Sequence, residues 1–102
     1  MSQFPDREAA EEQRFVHEQE MAFKVSARRN ALIGLWVGEL LGLPKKQCTA
    51  YSNELVQLAS QTSGESRLLA KLKADLGPLG ISEHRIRNEL DHQSAIARAS
   101  ID

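Results

Sequence analysis

Between Met21 and Leu41, apolar side chains recur at Met21, Val25, Leu32, Ile33, Trp36, Leu40 and Leu41. That spacing is close to the 3.6-residue turn that lines side chains along one face of an α-helix. The same period resumes after each break in the chain. Cys48, Tyr51, Leu55, Leu58 and Ala59 make a second stripe, and Leu68, Leu69, Leu72 and Leu76 a third. Ile86, Leu90 and Ala97 make a thinner fourth. The breaks are helix stops: Gly42 with Pro44 behind it, Thr62-Ser63-Gly64, and Gly77-Pro78. No segment alternates with period two, and no Asn-Gly or Asp-Gly pair marks a hairpin. The pattern predicts a first helix ending near Leu41, a second over Pro44–Ser60 and a third over Glu65–Leu76. The last begins at Ser82, an N-cap residue with Glu83 in the first turn. The thin stripe of the last helix predicts a frayed end. Helices joined by such short links pack as antiparallel neighbours, so the fold class is all-α, a four-helix up-and-down bundle.

The first helix is predicted to outrun the bundle. From Asp6 to Glu20 it holds six acids (Asp6, Glu8, Glu11, Glu12, Glu18 and Glu20) against Arg7 and Arg14, with Phe4 and Phe15 as its widely spaced large apolar residues. An isolated helix of that length is marginal in water without a face to pack. Residues 1–15 are therefore expected to be a flexible, partly helical extension, and residues 16–102 the bundle. Aromatic residues make up only 5% of the chain, so the core must come from Leu, Ile, Val and Ala. Gly34, Gly38 and Gly42, at every fourth position, are expected to let a neighbouring helix approach closely.

Several function classes fall away on the same residues. A formal charge of −1 gives no general attraction to nucleic acid or an anionic membrane. One cysteine, Cys48, allows no internal disulfide and no thiolate-rich zinc site, and reads as a small buried side chain. His17, His84 and His92 stand in no metal-ligand spacing. The apolar run Ala31–Leu43, interrupted by Glu39, is shorter than the roughly 20 residues a membrane span needs. Met1–Glu20 lacks the apolar core of a signal peptide, and a reducing cytoplasm is expected. No acid–base pair or activated nucleophile indicates an enzyme. Two basic groups remain. Lys24, Arg28 and Arg29, followed by Asn30, lie on adjoining turns, and His84-Arg85-Ile86-Arg87 follows the last N-cap. Each reads either as a solvated helix face or as a grip for phosphate or acidic side chains.

The block Phe15, His17, Glu20, Phe23-Lys24, Ala27-Arg28-Arg29-Asn30, Leu32, Gly34-Leu35-Trp36 and Glu39-Leu40-Leu41-Gly42 resembles the signature of the zeta-subunit family of ATP synthase inhibitors of alpha-proteobacteria. Upstream, Phe4 and Asp6-Arg7-Glu8 fit the same pattern, and Ala50-Tyr51, Glu54, Lys71, Asp75 and Ser82–Arg87 are similar downstream. The resemblance implies a bundle carrying an inhibitory segment, here Phe4, Asp6, Arg7, Glu8, Ala10, Glu11, Glu12, Arg14 and Phe15. The segment would insert between the catalytic alpha and beta subunits and the gamma rotor of the F-type ATP synthase, blocking hydrolysis more than synthesis. Lys24, Arg28, Arg29 and Asn30 would be the anchor. No metal and no resident cofactor are expected; the resemblance implies weak ADP or ATP binding on the bundle, for which Arg28, Arg29, His84, Arg85 and Arg87 are the candidate contacts. The free protein would be a monomer, cytoplasmic and peripheral to the inner membrane through the synthase.

In one respect the chain departs from the pattern. Inhibitory members carry a bulky aromatic where Glu11 stands and a basic residue in place of Ala9, which implies a weaker inhibitor. Two other readings stay open from the residues: a helical module that binds nucleotide or protein with little inhibitory activity, and a nucleic-acid-binding bundle, against which the net charge counts.

Overall fold

The structure is a computed structural model that describes the backbone of residues 3–101 and the side chains of residues 12–101. Four α-helices follow in order: α1 (Gln3–Leu41), α2 (Lys45–Leu58), α3 (Gly64–Leu76) and α4 (Glu83–Ile101), with a short 3-10 turn at Gly77–Leu79. There is no strand among the described residues.

Each helix ends where its backbone groups find other partners. At the end of α1, Gly42 adopts a left-handed φ of 69°, Gly42 N donates to Glu39 O, and Leu43 N donates to Gly38 O. This paired arrangement satisfies carbonyls that no further helical turn can reach. Pro44 does not enter the first turn of α2 as expected; with ψ of 154° it stands just outside, as the N-cap. The last four carbonyls of α2 are all occupied. Val56, Gln57 and Leu58 O accept from the N–H groups of Ala59, Ser60 and Gln61, and Leu55 O accepts from the Asn30 side chain of α1 at 2.7 Å. The Ser82 hydroxyl accepts from Arg85 N at the start of α4, as its N-cap role requires. The expected fraying of α4 is corrected: its helix persists to Ile101, with Ala97 fully buried in the stretch expected to loosen.

The core is aliphatic. Ile33 and Val37 of α1, Leu55 of α2, Leu68, Leu72 and Leu76 of α3 and Ile86 of α4 form one buried cluster, with Trp36, Leu41, Tyr51, Leu58, Leu69, Ile81 and Leu90 packed around it. Leu40, assigned to the inward stripe from sequence, is exposed, and Val37 takes the core position. α1 and α2 run antiparallel and nearly touch. A Cβ built on Gly34 would collide with Ser52 Cα and lie 2.8 Å from Ser52 Cβ, and one on Gly38 would meet Cys48 Sγ. Gly42 belongs to the helix stop instead, with open space around it.

Polar clasps fix the other two helices. Across α2 and α3, the Tyr51 hydroxyl donates to Asp75 at 2.5 Å. Lys71 Nζ sits 3.3 Å from Glu54 and 3.4 Å from Asp75, above the Tyr51 ring. Burial first, and then the hydrogen bond to Asp75, raise the Tyr51 phenol far above its usual range. Burial works against the Lys71 ammonium, but Asp75 and Glu54 outweigh it and raise its pKa. Across α3 and α4, Glu83 bridges Lys73 (2.7 Å) and Arg87 (3.1 Å), and hydrogen bonds from these two bases hold its carboxyl below the usual range.

The 39-residue α1 is far longer than the other three helices. At about 1.5 Å per residue it spans roughly 58 Å, nearly the full 64 Å length of the molecule. The radius of gyration, 17.3 Å, exceeds the roughly 13 Å expected for a compact chain of 100 residues. The difference is the half of α1 that projects beyond the bundle.

Candidate functional site

Phe15 is 59% exposed, Phe23 49%, and Val16 between them is half-exposed. At about 100° per residue, these three side chains fall within roughly 100° of arc on α1. The exposed Gln19, polar but uncharged, lies in the middle of that arc. Ile33, Gly34 and Val37 fall within the same arc, and there they are buried against the bundle. The side of α1 that is buried at Ile33, Gly34 and Val37 therefore continues along the arm, where Phe15, Val16 and Phe23 are about half-exposed among the described residues. Exposed apolar side chains scattered singly are ordinary on a surface, whereas three large ones aligned on a projecting helix mark an interaction face. Glu18 and Glu20 flank this face on opposite edges, and Glu12 lies at its N-terminal end. None of the three acids forms an ion pair among the described residues.

Of the inhibitory segment expected from sequence, Glu12, Arg14 and Phe15 are described and exposed. Phe4, Asp6, Arg7, Glu8, Ala10 and Glu11 lie outside the residues whose side chains are described. So does most of the expected flexible extension, and α1 passes through residue 15 without a break.

The basic face is divided. Lys24 and Arg28 are exposed. Arg29 is turned inward, its side chain only 12% exposed, with Nη2 2.7 Å from Glu65 of α3. Arg29 Nε and Nη2 also donate to Asn30 Oδ1, at 3.0 and 2.9 Å. Asn30 is buried, and its amide nitrogen holds the end of α2 through Leu55 O. Together Arg29 and Asn30 tie α1 to the α2–α3 end of the bundle, about one turn beyond Val25, the first buried residue of α1.

The five side chains expected to contact nucleotide lie on two helices, Arg28 and Arg29 on α1 and His84, Arg85 and Arg87 on α4. A cleft of about 250 Å³ between α3 and α4 is lined by Glu65, Ser66, Leu69, Arg87 and Leu90, and of the five only Arg87 belongs to it. Arg87 is engaged with Glu83, Arg29 with Glu65, and His84 faces Asn88 within its own helix. Arg85 is exposed.

Sequence reasoning did not place Val16 and Phe23 on one face with Phe15. The signal lay in the eight-residue step from Phe15 to Phe23, close to two helical turns, but polar Gln19 midway masks the period. It also missed Glu65 as the partner of Arg29, a contact 36 positions apart that no local pattern announces. No helix of the described residues is long and apolar enough to cross a membrane.

The family model described as ATPase inhibitor subunit zeta matches residues 1–100 of the chain. No curated protein and no solved structure matches it.

Proposed function

The chain belongs to the ATPase inhibitor subunit zeta family, and from that premise we propose that it restrains ATP hydrolysis by the F-type ATP synthase through the projecting arm of α1, with the bundle as a holder. ATP synthase is the partner the family implies, and the family's role is regulatory rather than catalytic. In this proposal the segment Phe4–Phe15 is the inhibitory element, wedged between the alpha and beta catalytic subunits and the gamma rotor. The protein sits at the cytoplasmic face of the inner membrane only through that assembly.

The observation that carries the reading is the bare apolar face on the arm. A helix that projects tens of ångströms with Phe15, Val16 and Phe23 about half-exposed gains little by staying folded alone, and gains most when a partner covers that face. Segments that order against a partner bind at the cost of their own ordering, which suits reversible control.

Glu11 sets the strength. Burying a Phe side chain contributes about 1.5–3 kcal/mol, and about 1.4 kcal/mol is tenfold in affinity. A carboxylate in that place supplies none of this and adds a desolvation penalty. We therefore place the protein among weak inhibitors.

The test is ATP hydrolysis by the cognate catalytic sector, titrated with the intact chain and with a chain lacking residues 1–15. The buried core runs from Val25 to Ala97 and is untouched by that deletion, which circular dichroism would verify. Loss of inhibition with the bundle still folded supports the reading; equal inhibition by both chains refutes it.

A further inference from the structure

We propose that the docking face of the arm extends past Phe15 to Phe23, and that it fits an apolar groove whose two rims carry basic side chains. This rests on the reading above and names the chemistry of the surface that the arm meets.

The extent of the face follows from the helix. Phe15, Val16 and Phe23 share one arc, and α1 runs through them unbroken, so a partner that covers Phe15 along this face meets Phe23 two turns further on. The bundle's α2–α3 end is clasped to α1 at Arg29 and Asn30. A shorter face would leave Phe23, 49% exposed, uncovered between the partner and the bundle. Gln19 does not break the face. It brings no charge, its methylene groups pack as apolar surface, and its amide needs only a hydrogen-bonding group on the groove floor.

The rims follow from charge. Glu18 and Glu20 border the face on its two sides and have no ion pair among the described residues. Bringing them against neutral or acidic walls would desolvate them without compensation, whereas Lys or Arg on both walls would pair with them and steer the encounter. A second copy of the chain is the wrong occupant. Laid face to face in either direction, two such arms bring the bordering acids of one copy beside those of the other, and like charges repel.

The experiment uses the full chain and the cognate catalytic sector. Phe23→Ala is expected to raise the half-inhibiting concentration about tenfold, the scale set by uncovering part of a large apolar side chain. Leu35→Ala removes a side chain of equal exposure, 50%, from the opposite side of α1 and is expected to stay within about twofold of wild type. The pair Glu18→Lys with Glu20→Lys is expected to weaken inhibition most at low ionic strength, with the difference shrinking as salt is added. Circular dichroism of each variant verifies the fold, and sedimentation at assay concentration is expected to give a monomer.

Inhibition unchanged by Phe23→Ala overturns the extent of the face, and inhibition unchanged by the double charge reversal overturns the basic rims. A dimer that Phe23→Ala dissociates identifies the second copy as the occupant and overturns the proposal. If the wild-type chain fails to inhibit at all, the reading beneath falls and this proposal falls with it.

Discussion

Replacing Gly34 by Ala drives a methyl group into the α2 backbone. The added Cβ would run into Ser52 Cα and lie 2.8 Å from Ser52 Cβ, where carbon atoms rest at about 3.5–4.0 Å. Because the nearest obstacle is main chain, no rotamer change relieves it, and α2 must withdraw by about 1 Å. That withdrawal strains the two hydrogen bonds that lock the helices together. These are Ser52 Oγ to Ala31 O at 2.8 Å and Asn30 Nδ2 to Leu55 O at 2.7 Å. Overpacking of this kind costs about 1–3 kcal/mol, and weakening the two hydrogen bonds adds about 1 kcal/mol between them. Against this, Ala favours the helix over Gly by about 1 kcal/mol. The net destabilisation is about 1–3 kcal/mol, and the midpoint falls by about 4–8 °C for each kcal/mol. Urea and thermal unfolding followed by circular dichroism measure it. A Gly34→Ala protein as stable as wild type would refute the close approach of α1 and α2.

Three further outcomes follow from particular side chains. Glu11→Phe should tighten inhibition of ATP hydrolysis by at least about tenfold; inhibition left unchanged would remove Glu11 as the cause of weakness. Asn30→Leu leaves Leu55 O without the donor that caps it and Arg29 Nε without an acceptor, so it should cost about 2–3 kcal/mol in chemical denaturation. A loss below about 0.5 kcal/mol would show that the clasp is replaceable by packing. The single tyrosine, Tyr51, should show no tyrosinate absorbance on titration through pH 10 while the protein stays folded. Its folded pKa is raised, so the stability it contributes is complete below the unfolded value of about 10 and declines as pH rises above that value, where only the unfolded chain releases the proton. A normal titration near pH 10 would break the Tyr51–Asp75 contact as drawn.

Helix periodicity and punctuation made the fold readable, because each apolar stripe and each Gly or Pro stop acts within a few residues. Its failures were also local. Val37 and Leu40 sit three residues apart on α1, and a sequence count could not tell which of them the bundle covers. The end of α4 looked thin because Ala97 has a small side chain, yet a small side chain is what lets a helix come close enough to be fully buried. Arg29 and Asn30 read as part of a basic face because their chemistry is polar. Their long-range partners, Glu65 and Leu55, turn both inward. The arm itself was legible as acidic and under-packed. Its apolar face was not, because Phe15 and Phe23 look isolated in one dimension, with polar residues between them. They come to share a face only once the helix is known to run unbroken from one to the other.

Amide hydrogen exchange on the intact chain, free and bound to the cognate catalytic sector, tests the arm most directly. The free protein should exchange quickly across residues 12–23 and slowly across Ile33–Leu41, where α1 is packed. On binding, residues 12–23 should become protected while the bundle helices change little. Protection gained on α2, α3 or α4, with residues 12–23 still exchanging freely, would mean that the bundle is what the synthase grips and that the projecting half of α1 is not.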